Sequence, residues 1–442
     1  MKNPKRLLLL LGLSLSPALH AANLLDIYHE AQQQDAAFAS ARAAWQAGLE
    51  KLPQGRALLL PTVTSSANTT WNEQDIHYRG ATSFPGGRRN YNSNGITLSL
   101  SQPIYRKQNF AQYQQGKSQA EQAEVQFAGA RQDLILRVAQ AYFDVLLAQD
   151  NVALAGAQKA AISEQLAQAK RNFEVGTATI TDTHEAQARY DLTVSQEIAA
   201  LNDLEIKKRA LQKIIGKIPE QLAGLREKLP LKQPEPGDMN KWVEAAEQQN
   251  LQVLIQRAAA EIANQEVERN RAGHYPTLDA VATYSDTSAS ASTFGAGSDT
   301  RASAIGLQLN LPIYQGGAVN SRVREAVANQ EKARQDLEQS LRQTALDTRQ
   351  AFLGVTSGMA QVQALEQALV SSQSSLDSTK LGLEVGVRTN VDVLNAQQQL
   401  YSTKRDLSQA RYNYLISQLK LKAAVGTLAE EDLQQVNQWL GQ

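Results

Sequence analysis

The chain switches between two hydrophobic periods, and it does so twice. Ile96, Leu98 and Leu100 alternate with Thr97, Ser99 and Ser101, while Ile305, Leu307, Leu309 and Leu311 alternate with Gly306, Gln308 and Asn310. A period of two with polar partners predicts strands with one apolar and one polar face. Lipid-facing barrel strands need that pattern, and any half-buried hairpin shares it. Elsewhere the apolar steps are four and three. Leu134, Val138, Ala141, Val145, Ala148, Val152 and Ala155 form one seam; Leu341, Ala345, Thr348, Phe352, Val355, Met359 and Val362 form another. A sustained 3.5-residue repeat predicts helices supercoiled left-handed against partners, with alanine permitting close approach.

The elements follow in order. A helix is predicted from Leu24 to Leu52, its end bracketed by Pro53 and Pro61, then a strand from Thr62 to Asp75 containing Trp71. A polar loop, His77 to Tyr91, holds Pro85-Gly86-Gly87 and the basic trio Arg79, Arg88 and Arg89 before the chain returns as the strand around Leu98. The second half repeats this with a helix from Trp242 to Gly273, a strand from Pro276 through Tyr284, a Ser/Ala/Gly loop from Asp286 to Thr300, and a returning strand. Strands of about ten residues match the span of a tilted membrane strand. Each hairpin is followed by more than a hundred residues without proline. Between Asn109 and Asn172 this predicts a helix of roughly 60 residues, about 90 Å long. So thin an apolar stripe cannot hold a lone rod, so the helices lie side by side. Every proline falls in the leader, at a strand boundary, in a hairpin loop or in the Pro219 to Asn240 linker, as continuous helices require.

The halves are tandem copies. Gln102-Pro103-Ile104-Tyr105 is answered by Leu311-Pro312-Ile313-Tyr314, Phe173-Glu174-Val175-Gly176 by Leu383-Glu384-Val385-Gly386, Asp182 by Asp392, and Gly216 by Gly426. An offset of roughly 210 residues implies duplication of one architecture. The expected organisation is a leader at 1–21, a first repeat at 22–229, a linker at 230–241 and a second repeat at 242–442.

Composition narrows the choices. Aromatics are only 6% of 442 residues, which suits long thin helices better than thick cores. Formal net charge is zero, so nothing marks a nucleic-acid partner. Lys2, Lys5 and Arg6, the apolar run Leu7 to Leu15, and Ala18-Leu19-His20-Ala21-Ala22 read as a secretory signal cleaved after Ala21, too short for a membrane anchor. The absence of cysteine rules out disulfides, a lipoprotein anchor and thiol chemistry. No nucleophile motif, phosphate loop or metal-ligand cluster suggests an enzyme or a cofactor.

Two hairpins supply four strands, whereas the smallest transmembrane barrels have about eight and lipid tolerates no open sheet edge. Chains must therefore pool strands. An eight-stranded barrel is filled by its own side chains, so a conducting one favours three or more copies.

Over essentially its whole mature length the chain closely resembles TolC-type outer-membrane efflux and secretion channels. The resemblance rests on Leu311-Pro312-Ile313-Tyr314-Gln315-Gly316-Gly317, Val385-Gly386-Val387-Arg388-Thr389-Asn390-Val391-Asp392-Val393-Leu394, Ala410-Arg411-Tyr412-Asn413-Tyr414-Leu415, and Val175-Gly176 through Ile180-Thr181-Asp182. It implies an α+β membrane protein. Three chains share a twelve-stranded β-barrel in the outer membrane, and their antiparallel helical hairpins form a coiled-coil α-barrel in the periplasm. The helical end closes by tapering and opens on a periplasmic adaptor and an inner-membrane transporter of the RND, MFS or ABC type. Expelled drugs, dyes and bile-salt-like compounds, or secreted proteins, are the implied cargo. A periplasmic coiled-coil adaptor or scaffold is the rival reading, but no lipoyl-like β-domain is recognisable.

The resemblance also assigns candidate residues. Gly176 and Gly386 mark the turns at the helical tip. Asp392 matches a selectivity ring of carboxylates that multivalent cations block; it is equally a helix N-terminal carboxylate favoured by the dipole. A second acidic ring in the family corresponds to Asn395, whose neutral amide makes a weaker cation site. Arg388 matches a gating arginine, with Thr181 and Asp182 as its partners in a neighbouring chain. Leu383 stands where the family uses a tyrosine, so that hydrogen bond is lost. Pro103, Tyr105, Pro312 and Tyr314 mark the barrel-to-helix junction, the tyrosines as interfacial aromatics or as plain packing. His184 and Glu185 read as a solvated tip and the basic trio as an exposed loop, with metal and lipopolysaccharide contacts the sharper alternatives.

Overall fold

The computed structural model describes residues 21–84, 86–219, 221–226, 229–292 and 296–441. The predicted leader through His20, and Pro85 of the first hairpin loop, lie outside them. Element order repeats between the halves. Helices α1 (Leu24–Gln34), α2 (Ala36–Leu49) and α3 (Lys51–Ala57) precede β1 (Thr62–Ile76), β2 (Gly87–Tyr105), α4 (Lys107–Glu174) and α5 (Ile180–Ile215). Helices α6 (Met239–Gln249) and α7 (Leu251–Arg271) precede β3 (Thr277–Ala289), β4 (Ser298–Asn310), α8 (Ala318–Glu384), α9 (Asn390–Val425) and α10 (Glu430–Asn437).

Two predicted helices are interrupted by their own caps. Asp35 adopts extended backbone (φ −69°, ψ 115°), ending α1 and accepting from the Phe38 N–H to start α2. Asn250 does the same for α6 and α7, accepting from Gln252 and Val253 N–H. Each side chain satisfies amides that the helix start leaves orphaned. The first helical segment also continues past Pro53, which sits in the first turn of α3 where no N–H is needed. Helix α6 begins at Met239, three residues before the predicted helix start at Trp242.

Both proline-free runs are continuous helices. α4 has 68 residues and α8 has 67, while α5 and α9 have 36 each. A 68-residue helix is about 100 Å long. The short helices line only the lower half of the long ones, and α2, α3 and α7 pack along the upper half. Four helices therefore occupy each level of the protomer. Where they change partners, one core cluster joins both halves, including Leu24, Leu134, Tyr142, Leu211, Tyr414 and Leu433. Tyr142 Oη donates to Ala223 O at 2.7 Å, and Tyr414 Oη to Lys232 O at 2.8 Å, tethering the chain segments that belt the bundle.

The strands form one antiparallel sheet in the order β1-β2-β3-β4, with β1 and β4 at open edges. They exceed the predicted lengths: β2 starts at Gly87, inside the predicted loop, and the second loop shrinks to residues 290–297. Register sorts the two faces. Val63, Leu100, Ala282 and Ile305 lie in one row across the sheet, while Thr64, Ser99, Thr283 and Ala304 lie in the next, on the opposite face. One face is thus apolar and solvent-exposed, with Ile305 at 89%. The other carries Thr64, Ser66, Asn68, Thr97, Gly306 and Gln308. Toward the loops the apolar band ends at an Arg301–Asp286 ion pair of 3.1 Å. Among the described residues no helix is long and apolar enough to cross a membrane.

Candidate functional site: the helical tip and the barrel junction

The two tip turns share one geometry because they share one sequence logic. After α4, Thr177 N–H donates to Asn172 O at 2.8 Å and Gly176 N–H to Phe173 O at 3.0 Å; after α8, Val387 N–H donates to Gly382 O at 2.9 Å and Gly386 N–H to Leu383 O at 3.1 Å. This double bond pattern closes a helix and needs a left-handed residue. Gly176 (φ 78°) and Gly386 (φ 77°) supply it without a Cβ clash. A capping box then starts each following helix. Asp182 Oδ2 accepts from Thr179 N–H at 3.0 Å and Oγ1 at 2.8 Å, and Asp392 Oδ2 accepts from Thr389 N–H and Oγ1 at 2.9 Å each. The Thr389 N–H holds the Asp392 carboxyl below the ordinary carboxylate range, helped by the Thr389 hydroxyl and by Arg388. Asp392 is therefore a helix cap as well as a half-exposed charge.

The turns differ in what they display. Arg388 replaces Ala178, and Gly382 replaces Asn172. The Arg388 stem lies across Gly382, its Cγ 2.6 Å from where a Cβ would stand, so only glycine admits this path. Arg388 and Thr181 are exposed. Val393 and Leu394 fix the rotation of α9: Val393 packs with Leu376 and Leu400, and Leu394 with Ile162, Leu166, Ala169 and Ala186 of the first hairpin.

Asn395 meets a residue that the sequence pattern did not single out. Arg189 of α5 donates through Nη2 to Asn395 Oδ1 at 3.2 Å, through Nη1 to Gln398 Oε1, and through Nε to Glu185 Oε1 at 3.1 Å. The Glu185–Arg189 spacing of four was the only local hint. His184 is exposed, while Glu185 pairs with Arg189.

At the other end, Pro103 lies within β2, where the register shifts between Pro103 and Tyr105 opposite Asp279 and Leu278. A bulge is where a sheet tolerates a residue without an N–H. Arg106 then starts α4, bound to Asp279. Pro312 and Tyr314 follow β4 in an irregular segment closed by Gly316 and Gly317, both at positive φ. Tyr314 is exposed and Tyr105 less so. In the outer hairpin, Arg88 pairs with Glu73, and Arg89 Nη1 reaches Ser292 O at 3.4 Å; Arg79 is exposed.

A sheet with one apolar and one polar face, standing on rods of about 100 Å that end in two matched turns, is the layout of a membrane-embedded duct. The model of the family described as "Outer membrane efflux protein" matches residues 27–217 and 242–427. Outer membrane protein TolC of Escherichia coli is 37% identical over 98% of this chain and 88% of its own length. Alkaline protease secretion protein AprF of Pseudomonas aeruginosa is 35% identical over 94% of this chain and 87% of its own. In fold, the crystal structure of outer membrane protein VceC from Vibrio cholerae superposes with a TM-score of 0.77 at 21% identity, covering 91% of this chain and 96% of that one. The chain belongs to the outer membrane efflux protein family. It is a channel protein of the outer membrane, an exit duct, and its family is not a class of enzymes.

Proposed function

We propose that three copies join their four-stranded sheets into a twelve-stranded barrel and their helices into a twelve-helix conduit. This duct receives cargo from an inner-membrane transporter through a periplasmic adaptor. The observation that carries the reading is the sheet, whose two faces are oppositely polar and whose two edges are unpaired. Such a sheet is viable in lipid only when closed. Four helices at each level multiply to twelve on the same threefold axis. Likeness to TolC and to a protease secretion protein supports both efflux and type I protein secretion as uses. The repeats 22–229 and 242–442, joined by 230–241, are read as products of duplication.

At the tip, Asp392 forms a ring of three carboxylates that attracts cations. Arg388, whose side chain makes no hydrogen bond or ion pair among the described residues and whose N–H is held by Gly382 O at 3.1 Å, reaches Thr181 and Asp182 of the next copy and holds the tip closed. Because Leu383 has no hydroxyl, closure leans on Arg388. Purified protein in planar bilayers tests this. A trimer with small, long-lived openings that Arg388→Ala enlarges supports the duct and its gate. A folded trimer without conductance would contradict the twelve-helix conduit, and unchanged conductance in Arg388→Ala removes that lock.

A further inference from the structure

We propose that position 395 is a clasp rather than a selectivity position in this chain, and that Arg189 operates it. The inference rests on reading the tip as the gate. Asn395 and Gln398 are one turn apart on the same face of α9, and both side-chain oxygens accept from one guanidinium of α5. Glu185, one turn before Arg189 on α5, takes the Nε–H and so fixes the plane of the fork. Leu394, the residue before Asn395, is 2% exposed and seated among residues of α4 and α5. Polar fork and apolar seat together fasten α9 to the first hairpin of its own protomer. This fastening lies within one protomer, unlike a contact of Arg388 with the next copy.

The chemistry of the acceptors matters. Bonds from a guanidinium to neutral amides hold less strongly than a bidentate ion pair to a carboxylate. A clasp made of amides therefore holds the closed tip yet releases when the hairpins separate. It also changes what a carboxylate at 395 would do. Three aspartates there would each be met by an arginine from their own protomer, tightening the clasp and giving no second cation ring. Gln397, the neighbour of Gln398, is 2% exposed with Oε1 unpartnered in the protomer.

The test is a cycle of variants in planar bilayers, read as open probability and as block by a trivalent cation complex such as hexaamminecobalt. Arg189→Gln should raise open probability on the order of tenfold, the scale of losing a charged hydrogen bond. Asn395→Asp alone should lower it and leave the cation block unchanged. Arg189→Gln combined with Asn395→Asp should produce a block distinctly tighter than wild type, because the new carboxylates are then unpaired. If Asn395→Asp alone tightens block, position 395 is a selectivity position and the clasp is refuted. If Arg388→Ala opens the channel while Arg189→Gln does nothing, the gate stands and the clasp falls. If neither variant changes conductance, the tip is not the gate and the clasp falls with it. Arg189→Lys, which keeps charge but loses the fork, should open the channel nearly as well as Arg189→Gln. Wild-type behaviour in Arg189→Lys would mean that charge alone is needed and would overturn the forked geometry.

Discussion

Arg106 grips Asp279 through two parallel hydrogen bonds, Nε to Oδ1 at 2.7 Å and Nη2 to Oδ2 at 2.6 Å. The pair ties the first residue after β2 to the base of β3, so the point where the barrel becomes helix is set by a forked ion pair. The partners are unequal: the Asp279 side chain is 9% exposed and that of Arg106 41%. Removing the arginine strands a buried carboxylate, whereas removing the carboxylate leaves a guanidinium that water reaches. Arg106→Ala should cost about 1–3 kcal/mol, and Asp279→Asn clearly less. Thermal unfolding of the detergent-solubilised protein measures both; equal losses would contradict the asymmetry.

Ile305 and Ala304 are neighbours on opposite faces of β4. Ile305→Arg puts a charge in the middle of the apolar band and should destabilise insertion by about 2–4 kcal/mol. Ala304→Arg points the same group at the polar face and should leave assembly close to wild type. Urea unfolding from liposomes separates them, and similar losses would mean the sheet does not face lipid as its register indicates.

Asp35 is a cap and an ion-pair partner at once, accepting from Phe38 N–H at 2.7 Å and from Arg137 Nη1 and Nη2 at 2.9 and 3.1 Å. The Arg137 hydrogen bonds, chiefly, hold its carboxyl below the ordinary carboxylate range, against the opposing effect of burial. A depressed folded value means the stabilisation is fully present above the unfolded pKa near 4 and is lost as pH falls through the folded value. Asp35→Asn should therefore cost about 2–3 kcal/mol at neutral pH, a figure reduced because Arg137 is one-third exposed. The difference from wild type should shrink below pH 4. Urea titrations at pH 7 and pH 3 give the comparison, and a gap that widens in acid would reverse the sign.

Asp392 serves its own helix and, as proposed, the pore, and two substitutions separate the roles. Asp392→Asn keeps an oxygen for the Thr389 N–H but removes the charge; Asp392→Ala removes both. Cation block should vanish in each, while thermal stability should fall only in Asp392→Ala. Within one protomer the Thr389 N–H depresses its pKa, and the repulsion among three ring carboxylates opposes that shift, so block should persist down to the ordinary carboxylate range. Block that disappears well above pH 4 would contradict this.

The sequence resolved the long helices because nothing interrupts them: no proline enters α4, α5, α8 or α9. It resolved the tip turns because glycine at positive φ and the Thr–x–x–Asp capping box are local chemistry. It missed the breaks at Asp35 and Asn250, where a cap hides inside an otherwise helical pattern. It also underestimated the strands, since Arg88 to Tyr91 read as loop by composition yet pair with Asn72 to Asp75.

Local and periodic features, then, were decided along the chain: the duplication, the two hydrophobic periods, the caps and the αL turns each depend on residues a few positions apart. Which residues meet across the bundle was decided by tertiary structure alone. Arg106 and Asp279 are 173 positions apart, and Arg189 and Asn395 are 206 apart. Such pairs depend on how long rods rotate and slide against each other. That rotation is set by the summed packing of side chains such as Leu394 and Val393, not by any short stretch of sequence.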